Sequence, residues 1–147
     1  MSSSAITTTD ESQIRELIEN WAQAVRSRDL QGILKQHAQE ILLFDVPPPV
    51  QSKGIDAYRQ SWEPFYRWFG DAGVFELREV NVTGGAEVAF CTALIRCAGS
   101  NTSGAREELA VRLTVCYQKI NGQWIVVHEH HSEPSSDSGG VLREPKI

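Results

Sequence analysis

The stretch Val111–Pro134, VRLTVCYQKINGQWIVVHEHHSEP, decides the fold. Asn121-Gly122 stands between two apolar, β-branched runs, and both positions tolerate positive φ, so it reads as a two-residue hairpin turn. The flanking runs, Glu107–Lys119 and Gln123–Ser132, are then paired antiparallel strands. Working toward the N-terminus, Val88–Ala98 and Val74–Val82 have the same composition. Gly84-Gly85 and the segment GSNTSGA at 99–105 supply the connections. Upstream of Gly73 the period changes to that of a helix. Ile14, Leu17, Ile18, Trp21, Ala22 and Val25 make one stripe, with Asp10 as N-cap and Gln13 completing a capping box. Asp29 reads as the cap of a short helix that turns Leu30, Ile33 and Leu34 inward. Ile41–Phe44 reads as a short strand ending at Asp45, before Pro47-Pro48-Pro49. Gly54 opens a third helix carrying Ile55, Tyr58, Trp62, Phe65, Tyr66 and Phe69, and Pro64 predicts a kink or a break within it. Helices first and hairpin-linked strands afterwards define an α+β domain, an antiparallel sheet with helices on one face. If the sheet is strongly curved, a cone-shaped hollow is left between the layers.

Composition narrows the function. The 147 residues carry a formal net charge of −5, which argues against nucleic acid as a partner. Hydrophobic residues make up 41%, enough for a core, yet no apolar run is long enough for a membrane span. The opening MSSSAITTTD has neither a charged nor an apolar signal region. With that, the three cysteines Cys91, Cys97 and Cys116 read as buried, reduced thiols of a cytoplasmic protein. The expected organisation is a disordered stretch at 1–9, one domain at 10–134 and a flexible tail at 135–147.

The side chains able to do chemistry collect near the hairpin. Asp45 ends an apolar strand, where a carboxylate at the rim of an apolar pocket can move a proton; as an ordinary strand end it would cap the next turn. Strict alternation groups His128 and His130 with Trp124 and Val126, and Glu129 and His131 with Ile125 and Val127. On the preceding strand it groups Ala110, Arg112, Thr114 and Cys116 against Leu109, Val111, Leu113, Val115 and Tyr117. Which group faces the core is open at this level.

The patterns IRELIENWAQAVRSRDLQGI, ILLFDVPP and GIDAYRQSW, with the closing hairpin, resemble the SnoaL-like and ketosteroid-isomerase-like proteins of the nuclear transport factor two superfamily. The end motif WIVVHEHHS is also similar to the association domain of calcium/calmodulin-dependent kinase. The resemblance implies a cystatin-like, cone-shaped α+β barrel whose curved sheet wraps about three N-terminal helices. It implies a small hydrophobic or acidic ligand, chemistry that requires no cofactor, and a homodimer formed through the outer sheet face; no metal site is expected. Asp45 matches the general base of the steroid isomerases. Their two oxyanion donors fall on Trp21 and Thr114, and the supporting tyrosines on His37 and Trp62, so both donors are replaced. The family's facing turns Arg112, Glu129 and His131 into the cone, with Val111, Leu113 and Val115 outside. The expected site is therefore Asp45 and His131 as catalytic groups, with Trp21, His37, Tyr58, Trp62, Arg112, Thr114 and Glu129 binding the ligand. A cofactor-independent isomerase, cyclase or lyase, and a non-catalytic dimeric module that binds or associates, are the two functions this implies.

Overall fold

A computed structural model describes residues 6–135. Its elements are α1 (Thr8–Arg26), α2 (Leu30–Leu34), β1 (His37–Phe44), β2 (Ser52–Lys53), α3 (Ile55–Phe69), β3 (Val74–Gly84), β4 (Val88–Ser100), β5 (Arg106–Ile120) and β6 (Gln123–Ser132). The strands form one six-stranded sheet in the order β2-β1-β6-β5-β4-β3. The hairpin is where the sequence places it: Asn121 and Gly122 have φ of 51° and 79°, so the two strands are joined without splay. The sheet is α+β in the expected sense but open, with β2 and β3 as its edges, so it is a cone and not a closed barrel. It is also mixed, because β1 runs parallel to β6.

Several local expectations need correction. Helix α1 begins at Thr8, its N-cap is Thr7, and Ile6 already pairs with the Gly84 carbonyl, so residues 6–9 belong to the domain. Residues 1–5 and 136–147 lie outside the described residues. Asp10 is therefore no cap. It is buried in the first turn, where its carboxylate accepts from Trp124 Nε1 at 3.1 Å and meets Lys119 Nζ at 2.8 Å, pinning α1 to the β5–β6 hairpin. Asp29 does cap α2, accepting from the Gly32 N–H, but Leu30 is exposed. Helix α3 runs unbroken through Pro64. The ring removes one backbone bond, while the aromatic face on either side (Trp62, Phe65, Phe69) packs against the core.

Two bulges set the shape and the facing of the sheet. In β3 the register slips between Arg78 and Asn81, with Glu79 at φ 55°. In β6, Cys116 pairs with His128 and Tyr117 with Val126, leaving Val127 as an extra residue. That residue breaks the alternation. Trp124 and Val126 face the core before the bulge, Glu129 and His131 face it afterwards, and His128 and His130 lie on the outer face. Strand β5 has no such slip. Its inward residues are Val111, Leu113, Val115 and Tyr117, so Arg112 and Thr114 are on the outer face, opposite to their expected orientation.

The Asp10 contacts are the only polar tie between the start of α1 and the hairpin among the described residues. Asp10→Ala strands the Trp124 indole N–H and the Lys119 ammonium; we expect a loss of about 2 kcal/mol. Urea titration should show a lower midpoint with an unchanged slope.

Candidate functional site

The chain turns away from the sheet after Phe44, because Pro47-Pro48-Pro49 follows, and this leaves Asp45 at the open end of the cone. The cavity beneath it has a volume of about 340 Å³. Its walls are apolar: Trp62, Phe65 and Trp68 come from one side of α3, Phe75 from β3, Ile95 from β4 and Val111 from β5. Gly99 lets α3 come close, since a Cβ there would lie 2.4 Å from the Trp68 ring. Only Asp45, Ser61 and His131 bring side-chain polar groups other than the Trp indole N–H groups and the Cys97 thiol to this lining.

His131 lies between two carboxylates. Its Nδ1 is 3.5 Å from Asp45 Oδ1, and its Nε2 is 3.0 Å from Glu129 Oε1. Glu129 is fully buried, and its other oxygen lies 2.7 Å from His37 Nε2. The Tyr58 hydroxyl donates to Glu129 at 3.0–3.1 Å and itself accepts from Trp21 Nε1 at 3.0 Å. Burial by itself would raise the Glu129 pKa, but hydrogen bonds from His131 and His37 outweigh it and bring the group down to about 2. Burial would lower His131, and the contacts to Asp45 and Glu129 lift it to about 9. His131 is thus an imidazolium at neutral pH, fixed from behind by an ionised glutamate and facing Asp45 across a longer gap. Asp45 Oδ1 also accepts from the Val46 N–H at 2.8 Å, whereas Oδ2 has no hydrogen bond among the described residues. Its side chain is 23% exposed, so this oxygen is open to a ligand.

The expected site residues divide into three groups. Asp45, His131 and Trp62 meet at the cavity. Glu129, His37, Tyr58 and Trp21 form a buried layer behind it; Trp21 packs edge-on against Trp62, Phe75 and His131 and does not line the cavity itself. Arg112 and Thr114 have no access to the site. The Arg112 guanidinium donates to Ser132 Oγ at 3.2 Å on the outer face, away from Glu129. Trp62 Nε1 is a buried donor with no hydrogen bond among the described residues. Among the described residues, no three His, Cys, Asp or Glu side chains converge so as to hold a metal ion. Phe65 and Trp68 line the cavity although neither is among the expected site residues. The i, i+3, i+4, i+7 spacing of Ser61, Pro64, Phe65 and Trp68 would have put them on one wall.

A cystatin-like cone with a carboxylate and an imidazole at its mouth defines a class, and the comparisons with known proteins name the family. The chain belongs to the SnoaL-like domain family, which matches residues 14–136, within the NTF2-like superfamily. It is similar to an NTF2-like protein of unknown function from Pseudomonas putida KT2440, with 36% identity over 95% of this chain and 99% of that one and a TM-score of 0.81. A ketosteroid isomerase-like protein from Erwinia carotovora atroseptica shares 17% identity over 88% and 100% of the two chains, with a TM-score of 0.74. The association domain of CaMKII from C. elegans shares 16% over 84% and 95%, with a TM-score of 0.66. The last two likenesses extend to the fold alone. No curated protein matches the sequence. Among the described residues no helix is long and apolar enough to cross a membrane.

The raised His131 pKa has a consequence for stability. Its contribution is fully present below the ordinary value of 6.5 and is lost as pH rises through about 9. Urea unfolding should therefore show stability falling by up to about 3 kcal/mol between those pH values, and His131→Gln should flatten the profile.

Proposed function

We propose that the protein is a cofactor-independent proton-transfer enzyme of the isomerase or cyclase type, acting on a small hydrophobic carbonyl compound. The observation that carries this reading is the His131–Asp45 pair, 3.5 Å apart at the mouth of an apolar cavity. A substrate C–H next to a carbonyl is a weak acid, and its removal leaves charge on the oxygen. Asp45 Oδ2 takes the proton. The Nδ1–H of His131, now held loosely by Asp45, donates to the developing oxyanion, and Glu129 keeps that imidazole charged and aimed. Isomerisation follows when Asp45 returns the proton to another carbon; cyclisation follows when the enolate carbon attacks a second carbonyl of the same substrate and the resulting alkoxide takes the proton back from Asp45. The apolar walls keep water from competing. With Arg112 on the outer face, the cavity has no guanidinium for an acidic ligand, so a neutral carbonyl compound fits better than a carboxylate.

A panel of β,γ-unsaturated ketones and 1,3-diketones tests this. The wild-type protein should turn over at least one member. Asp45→Asn should reduce kcat by about 100-fold or more. The rate should fall as His131 loses its proton near pH 9. Absence of wild-type turnover across the panel, or full activity in Asp45→Asn, defeats the reading.

Association through the outer sheet face is a second, compatible component. The face carries Val88, Phe90 and Leu94, exposed by 60%, 42% and 40%, beside Phe44, His128 and His130. These residues replace Val111, Leu113 and Val115, which are in the core, as the apolar surface that calls for a partner. Light scattering should give a dimer mass at micromolar concentration, and Phe90→Glu with Leu94→Glu should give the monomer.

A further inference from the structure

A second cavity of about 290 Å³ lies on the other side of the Trp21–Glu129 layer, between α1 and α2 and the inner faces of β5 and β6. Trp21 is the partition, since its ring packs against Trp62, Phe75 and His131 of the first cavity while it lines the second. Most polar side chains on this second lining are already engaged. Gln36 Nε2 donates to the Trp124 carbonyl, Gln23 Oε1 accepts from Arg26, and Ser27 donates to Gln23. His37 and Glu129 bond to each other. Tyr117 differs. It is 2% exposed, its ring lines the cavity, and its hydroxyl makes no hydrogen bond among the described residues. The protein leaves this hydroxyl free at the cavity, where a water or the oxygen of a ligand can accept from it.

We propose that this second cavity is a binding site for a small, uncharged molecule carrying a hydroxyl or carbonyl oxygen, held by the Tyr117 hydroxyl. The lining fixes the class. Asp29 and Glu129 disfavour an anion, and Lys35 at the rim disfavours a cation. Leu17, Ile18, Val115 and Val126 supply an apolar surface for the rest of the molecule. Burial raises the Tyr117 pKa well above its ordinary value, so the hydroxyl remains a donor at any physiological pH. The volume equals that of roughly ten water molecules, which sets the scale of the ligand at a single ring. Glu129 is shared with the layer that orients His131, so an occupant of this cavity touches the back of the Asp45 site without entering it. The site does not depend on the protein being an enzyme.

Benzyl alcohol and 2-pyrrolidone are suitable probes, followed by protein-observed NMR titration of the full chain up to about 10 mM, the range expected for weak fragments. At least one should bind, with shifts centred on Tyr117, Val126 and Ala24. Tyr117→Phe, which keeps the shape and removes the oxygen, should weaken binding about fivefold or more. Asn20→Trp, on the surface of α1 at the rim, should block it without disturbing the core. Leu109→Trp, which fills the first cavity, should leave it unchanged. Absence of binding by both probes, unchanged affinity in Tyr117→Phe, or loss of binding in Leu109→Trp alone would overturn the proposal.

Discussion

The arrangement of the cone depends on one buried charge. Glu129 is taken out of water entirely, and an isolated carboxylate there would cost several kcal/mol. It is tolerated because His131, His37 and Tyr58 all point at it, from β6, β1 and α3. Those contacts join three separate elements, so the position of α3 over the sheet and the parallel docking of β1 against β6 are tied to one group. The same contacts hold the imidazole of His131 charged and aimed at Asp45. Stability and site geometry thus share an origin, and removing the carboxylate would loosen the packing and the chemistry together.

A single residue decides whether this charge faces the cone. Without the bulge at Val127, strict alternation from Trp124 and Val126 would turn His128 and His130 inward and put Glu129 and His131 on the outer face. The bulge exchanges the two pairs. It places Glu129 and the imidazole paired with it, His131, inside, and leaves His128 and His130 beside Phe44 on the surface. A one-residue irregularity of this kind flips every side chain beyond it, which makes it a powerful way to specify a site.

This also explains what was legible in the sequence. The elements were, because their signals are local: the Asn121-Gly122 turn, the stripe on α1 and the strand ending at Asp45 all follow from near neighbours. Facing was less accessible. The inward orientation of Glu129 and His131 came from resemblance, since alternation alone grouped them with Ile125 and Val127. Carrying the same expectation to β5 put Arg112 and Thr114 inside, but β5 has no bulge, and Val111, Leu113, Val115 and Tyr117 occupy the inner positions. Nothing in the local composition distinguishes VCYQ from VVHE as the strand that takes the extra residue. The role of Asp10 is hidden for a related reason. Its cap-like spacing is a local signal, whereas its partners, Lys119 and Trp124, are more than a hundred residues away.

Trp21 deserves the place that sequence comparison gave it, but for a different reason. At the position where the steroid isomerases have an oxyanion donor, a tryptophan cannot reach a ligand in the Asp45 cavity, because Trp62, Phe75 and His131 stand between. Its N–H is spent on the Tyr58 hydroxyl, which frees that hydroxyl's own hydrogen for Glu129. In the proposed reaction the oxyanion-stabilising task falls to a group the carboxylate layer can charge, and His131 is placed to take it. In the proposed reaction one cationic donor, supported from behind, stands where the steroid isomerases use two neutral ones. Such a donor is stronger, but it acts only below the pH at which the imidazole loses its proton, so the layer behind the cavity sets the working range of the group in front of it.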